Sequence, residues 1–379
     1  MQNIVIAIDS FKGSLSSIQA GNIVFNATKK IFPKSNIKIF PLADGGEGTV
    51  DALTEGLHGK IISSYVTGPL GDKIQSRYGY LPQDNIAIIE MADAAGLTLV
   101  PENKRNPLFT TTYGLGELIL NAIHNGCRKF IIGIGGSATN DCGLGMLSAL
   151  GIKFFNKNHQ PVGILGKDLQ DISFIDTSTL NPLIKECSFS IACDVTNPLY
   201  GKNGCSYIYA PQKGATPDIV NQMDNTIKNF ADLIERQLGL TGANLAGAGA
   251  AGGLGFAFHT FLKAQLIPGI ELILNTLHLQ DFLRNADLLI TGEGKIDLQT
   301  SMGKAPVGIA KLAKQLNPQI KVIAICGCAT NSASSVNSQG IDAYFPIIQA
   351  PISLQKAMQT DIASNNLNQT ITQVLNLLK

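Results

Sequence analysis

At 379 residues, with 45% hydrophobic and 15% charged side chains, the chain has the make-up of a globular protein and length enough for two cores. Its 29 lysines and arginines balance 28 acids to a net charge of +1, and no basic cluster interrupts the sequence. That balance excludes nucleic acid and an anionic membrane as expected partners.

Strands are predicted at residues 3–8, 37–40, 61–66, 86–91, 129–134, 188–193, 286–291, 320–326 and 342–347. Many are apolar on both faces, as strands covered by helices on both sides must be. Between them fall amphipathic stretches. Residues 16–31 place Ala20, Ile23, Val24, Ala27 and Ile31 on one stripe, with Ser16 and Gln19 at capping-box spacing. Residues 217–238 begin at Thr216 and Pro217, bury Ile219, Met223, Ile227, Phe230, Ile234 and Leu238, and stop at Gly239. Two more helices are expected at 303–316 and 353–378. Repeated strand–loop–helix units predict an α/β protein with largely parallel sheets.

The alternation breaks at 68–84 and resumes near 286, which predicts a discontinuous domain with a second one inserted. We place the first at 1–67 with 285–379 and the inserted α/β domain at 68–284. The start "MQNIVIAID" enters a strand directly and has no signal-peptide pattern. Residues Leu238 to Leu262 carry no acid, lysine or arginine, yet their glycines and polar residues read as soluble rather than membrane-spanning. Seven cysteines without a CxxC pair are expected to be reduced thiols of a cytoplasmic protein.

Five glycine clusters carry the chemistry: "ADGGEGT" (43–49), "GIGGSATNDCGLG" (133–145), "CDVTNPLYGKNG" (193–204), "GAGAAGGLG" (247–255) and "TGEGKIDLQTSMGK" (291–304). Glycine lets backbone amides approach an anion, and most of the clusters follow predicted strands, where α/β sheets bind ligands. Asp9 and Lys12 follow the first strand in the same way. No Gly-Lys pair continues into Ser or Thr, so there is no Walker A loop. Neither HExxH nor GxSxG occurs, and the five histidines are scattered. Gly247, Gly249 and Gly252 fit GxGxxG, which keeps a nicotinamide-dependent oxidoreductase as one alternative, although "LTGANLA" before them is a poor strand. A two-domain solute-binding protein is another, but it needs an export signal that the N-terminus does not show. Acids and lysines among glycines suit phosphoryl transfer: carboxylates hold Mg²⁺ or accept the hydroxyl proton, and cations neutralise the moving phosphoryl group.

The blocks "DSFKGSL", "ADGGEGT", "TGPLG", "EMADAAGL", "RNPL", "YGLGELI", "GIGGSATNDCGLG", "CDVTNPL", "PQKGA", "GAGAAGGLG" and "TGEGKIDLQTSMGKAP" resemble, in order, those of the bacterial glycerate kinase type-1 family. Departures are small: Cys142 stands where that family often has glycine, and Leu115 where threonine or valine is common. The resemblance implies phosphorylation of D-glycerate by ATP with Mg²⁺, with 2-phosphoglycerate the favoured product and the 3-kinase outcome the alternative. It also implies a discontinuous flavodoxin-like domain with a second α/β domain inserted, and a site in the cleft between them. On that basis the catalytic group is Asp9, Lys12, Asp194 and Asp297, with Asp44 and Glu47 holding metal. Which acid is the base stays open. Ser10, Arg105 and Lys295 are expected to bind substrate, Arg105 by a bidentate grip on its carboxylate. Gly135, Gly136, Ser137, Thr139 and Asn140, with Gly249 and Gly252, are expected to cradle the nucleotide phosphates. Close helix packing is the rival role for the last two. Oligomeric state stays open, a homodimer included.

Overall fold

The computed structural model describes all 379 residues. Its strands are β1 (Asn3–Ile8), β2 (Asn36–Pro41), β3 (Lys60–Thr67), β4 (Lys73–Leu81), β5 (Ile86–Glu90), β6 (Lys129–Gly133), β7 (Lys153–Phe155), β8 (Phe174–Asp176), β9 (Ser188–Ala192), β10 (Gln265–Ile267), β11 (Leu288–Ile296), β12 (Lys321–Ala329) and β13 (Ala343–Pro346). The chain divides into two compact units. The first holds Met1–Asp44, Asp51–His58 and Ile270–Lys379; the second holds Gly45–Val50 and Gly59–Gly269.

The first unit is built on a five-stranded sheet of order β13-β12-β11-β1-β2, every pair parallel. Counted within the unit, that order is the flavodoxin-like 2-1-3-4-5, whose direction reverses between β1 and β11. The strands are apolar on both faces because helices cover both. Helix Ser17–Ile31 shows why it starts where it does: Ser16 Oγ accepts from the Gln19 amide at 3.1 Å, and Gln19 Oε1 accepts from the Ser16 amide at 2.9 Å. Ala20, Val24 and Ala27 from this helix and Leu367, Ile371 and Leu375 from helix Thr360–Leu378 share a core with Ile4, Ile6 and Ile290. The predicted 353–378 helix is interrupted, as Leu354–Ala357 and Thr360–Leu378.

The second unit carries a six-stranded sheet of order β10-β9-β6-β5-β4-β3. Its β5, β6, β9 and β10 run parallel, whereas β4 is antiparallel to both β3 and β5. The break in alternation at 68–84 is therefore the turn and strand of a hairpin, and the sheet is mixed. β7 and β8 form a separate antiparallel pair. Helix Pro217–Leu238 spans the predicted residues, capped by Thr216 and ended by Gly239 at φ 66. Its buried face takes Val220 and Ala231, while Ile219 and Leu238 are half-buried.

Sequence placed the unit boundaries at 67/68 and 284/285. The contacts place β3 with the second unit, paired with β4 from Lys60↔Tyr80 to Thr67↔Lys73, and Ile270 onward with the first. An apolar alternation shows that a strand exists but not which sheet it joins. No helix is long and apolar enough to cross a membrane; the glycine-rich Ala250–Leu262 is kinked by positive φ at Ala251, Gly252 and Gly253.

Candidate active site

In the first unit the carboxyl ends of β1 and β11 lie side by side, with Ile8 opposite Gly292 and the Asp9 amide donating to Gly292 O at 2.9 Å. This is the point where the strand order reverses, where open α/β sheets bind ligands. Asp9 leaves β1 there and is 6% exposed, its Oδ1 accepting from the Ser10 amide at 2.6 Å. Burial, then the charge of Asp44, pushes its carboxyl up to about 7, against the pull of the Ser10 amide and Lys12. Lys12 itself is exposed and lies 3.5 Å from Asp44 Oδ2.

From β11 come Glu293, Lys295 and, just beyond it, Asp297. Glu293 is 7% exposed and accepts from Thr300 Oγ1 at 2.6 Å. Burial raises its carboxyl, with Asp297 and Asp44 adding to the rise, and the Thr300 bond and Lys304 oppose it. Asp297 differs. It caps the short helix Leu298–Ser301, Oδ1 accepting from the Gln299 amide at 2.9 Å, and Lys295 lies 3.3 Å from its Oδ2. Desolvation pushes its carboxyl up, but the Lys295 bond, the Gln299 and Thr300 amides and Lys304 outweigh it and hold it below the usual range. Three acids on one edge thus have two different readinesses for a proton.

In the second unit the loop after β6 exposes Gly135 and Gly136, the latter at φ 74, then buries Ser137, Thr139 and Asn140. Lys213, 2% exposed, donates from Nζ to Ser137 Oγ at 2.7 Å and to Thr139 O at 2.5 Å. Burial pulls its pKa down to about 8. Asp141 is fully buried and accepts from Thr112 N at 2.9 Å, Thr112 Oγ1 at 2.7 Å and the amides of Gly143 and Gly145. It therefore fixes the turn into helix Leu144–Ala149. Arg105 is half-buried, and its Nε has no acceptor.

The predicted residues separate accordingly. Asp9, Ser10, Lys12, Asp44, Lys295 and Asp297 belong to the first unit. Glu47, Arg105, Gly135, Gly136, Ser137, Thr139, Asn140, Asp194, Gly249 and Gly252 belong to the second. Asp194 is exposed beyond β9, and its Oδ1 accepts from the Gly269 amide at 2.8 Å, an anchoring contact at the start of helix Gly269–Thr276. Gly249 and Gly252 are both buried, and packing accounts for both. The Gly249 amide donates to Asn197 O at 3.0 Å, and a Cβ on Gly252 would meet Thr139 O at 2.1 Å. No strand precedes these glycines, so they form no dinucleotide turn and the oxidoreductase alternative is set aside. Sequence reasoning counts Glu293 among the loop acids suited to phosphoryl transfer without giving it a specific place, and assigns no role to Lys213. Each lies in a quoted block, "TGEGKID" or "PQKGA", but only packing reveals their burial. All seven cysteines are unpaired.

The sequence profile of the Glycerate kinase family matches residues 4–379. The chain belongs to the glycerate kinase family. Relatives agree along its length. A glycerate kinase of Haemophilus influenzae is 48% identical over 91% of this chain and 90% of its own. One from Halalkalibacterium halodurans is 45% identical over 95% and 94%. The glycerate 2-kinase of Escherichia coli is 44% identical over 94% and 93%. A crystal structure from Salmonella typhimurium LT2, provisionally designated glycerate kinase 2, superposes with a TM-score of 0.91 at 44% identity, covering 100% of this chain and 98% of that one. The two-unit α/β fold is thus that of a family member.

Proposed function

We propose that the chain transfers the γ-phosphoryl group of ATP to a hydroxyl of D-glycerate, giving ADP and 2-phosphoglycerate, in the cytoplasm. The observation that carries this reading is Asp9. It is a carboxyl held near pH 7, buried at a ligand-binding strand edge, and felt by Lys12 and Asp44. A general base works best with a pKa near the operating pH. Asp9 takes the proton of the attacking hydroxyl, and Lys12 supports the negative charge of the transferring group. Within the second unit, exposed Gly135 and Gly136, with Ser137, are suited to nucleotide phosphates, and Arg105 Nε, which has no acceptor, is suited to an anion. Support for the 2-position comes from the Escherichia coli relative named a 2-kinase.

The donor set suits Mg²⁺. That ion prefers hard oxygens and is usually held by one or two carboxylates plus substrate phosphates rather than by an all-protein cage. Glu293 and Asp44, whose charges act on each other, would hold it, and no group of three or more His, Cys, Asp or Glu is set for a closed site. When bound it would neutralise charge on the phosphates. Glu47, expected from sequence as its second ligand, is an exposed side chain of the other unit. The test is ADP release on mixing with D-glycerate and ATP, with the product's regiochemistry read by phosphorus NMR. No ADP above the glycerate-free rate would end this reading.

A further inference from the structure

Lys213 takes no part in the reaction described above, yet it is among the most buried large side chains of the second unit. It ends the 3-10 turn Pro211–Lys213, and its ammonium reaches only Ser137 Oγ and Thr139 O. The buried acid whose charge acts on it, Asp141, spends its oxygens on Thr112, Gly143 and Gly145. An ammonium buried without a bonded carboxylate destabilises the fold, so an apolar side chain would serve better as mere filling.

The direction of the Lys213–Ser137 bond is informative. A hydroxyl that accepts from an ammonium keeps its own proton to donate, and Ser137 has no acceptor within the protein for that proton. The same loop holds Thr139 Oγ1 and Asn140 Oδ1, both buried and without partners. Next to Lys213, Gly214 sits at φ 93 with its backbone against Arg105: a Cβ there would lie 2.1 Å from the Arg105 carbonyl oxygen. Arg105 Nε is a second buried donor without an acceptor. Buried polar groups are almost always satisfied, and a bound ligand is one source of the partners these groups lack.

Resting on the kinase reading, we infer that the Ser137 hydroxyl donates to a phosphate oxygen of the nucleotide. Lys213 is the positioning residue that turns and polarises that hydroxyl while bracing the loop through Thr139 O. The ammonium does not touch the ligand; it acts through Ser137.

The experiment compares wild type, Ser137→Ala, Lys213→Met and the double variant, reading KM for ATP, KM for D-glycerate and kcat separately. Loss of one charge-assisted bond predicts a rise of about tenfold in KM for ATP for Ser137→Ala, with KM for glycerate little changed. Lys213→Met should raise KM for ATP similarly, and the double variant should be no worse than the weaker single one, since both act through one hydroxyl. Binding of ADP should weaken while binding of adenosine, which has no phosphate, stays the same. Multiplying effects in the double variant, a rise confined to KM for glycerate, or unaltered ADP binding by Ser137→Ala would each overturn the inference. Should Lys213→Met fail to fold, the ADP–adenosine comparison on Ser137→Ala decides alone. That comparison also stands if wild type does not phosphorylate glycerate, a result that would instead overturn the kinase reading.

Discussion

Replacing Asp9 by asparagine should stabilise the protein at alkaline pH while removing turnover. The carboxyl goes from an ordinary 3.8 to about 7 in the fold, mainly because burial disfavours its ionised form. The sign follows from proton counting. Between these two values the folded state binds more protons than the unfolded one, so stability is fullest below pH 3.8 and falls as pH rises through 7. About three units at 1.36 kcal/mol each give a cost on the order of 4 kcal/mol at pH 8, and roughly 1–2 kcal/mol at pH 5. Asparagine keeps the shape and can still accept from the Ser10 amide, but carries no charge. Urea unfolding at pH 5 and pH 8, in EDTA so that no divalent cation masks the carboxylate, measures the gain. The variant should gain clearly more at pH 8 than at pH 5. An equal gain at both pH values, or a loss at pH 8, would refute the reasoning.

The pH profile of kcat/KM for glycerate should show an acidic limb that rises towards pH 7, displaced downward by any bound cation; a flat profile from pH 5 to 8 would remove Asp9 as base. Lys12→Met should cut turnover by about 100-fold or more with unfolding midpoints unchanged, since the side chain is exposed; an unchanged rate would return it to the status of a surface lysine. Gly252→Ala should destabilise by about 3 kcal/mol, because the new Cβ would meet Thr139 O at 2.1 Å and φ is +69; urea denaturation checks it, and a loss under 1 kcal/mol would mean the loop shifts freely. Ser16→Ala removes half of a capping box and should cost about 1 kcal/mol in the same assay, leaving turnover per folded molecule as it was.

Local signals carried the first unit well. β1 from residue 3 to 8 and the Ser16 capping box coincide with the sequence reading because both depend on neighbours a few residues away. β4 was missed because its alternation, in "KIQSRYGYL", mixes polar and apolar residues around a glycine, and only pairing with β3 and β5 settles it. Candidate site residues divide along the same line. Asp9 and the Gly135–Asn140 loop are legible as polar residues just past strands. Lys213 was not, because its burial arises from contacts 74 and 76 residues away in sequence. Asp194 and Asp297 looked alike on paper, each an acid in a glycine loop. The structure gives one the Gly269 amide and the other a helix start with Lys295.

The contrast among the first unit's acids bears most directly on mechanism. When environments push neighbouring carboxyls in opposite directions, the directions themselves suggest who handles the proton. Asp297 is ionised and committed: two amides and an ammonium favour its charged form, so protonating it would forfeit all three contacts. It can shape the field around Glu293, which its charge helps to raise, but it is a poor acceptor for a substrate proton. Glu293 is raised too, yet Thr300 Oγ1 already occupies one of its oxygens. Asp9 is bonded only by the amide of its own neighbour, Ser10, and is the most strongly desolvated of the three. Its charged form is disfavoured by burial, so any step that neutralises it, by proton uptake from a hydroxyl or by an adjacent cation, is helped by the fold. A carboxylate kept at that disadvantage next to Lys12 is hard to explain as part of an ordinary turn, and it is what a base for a weakly acidic hydroxyl requires.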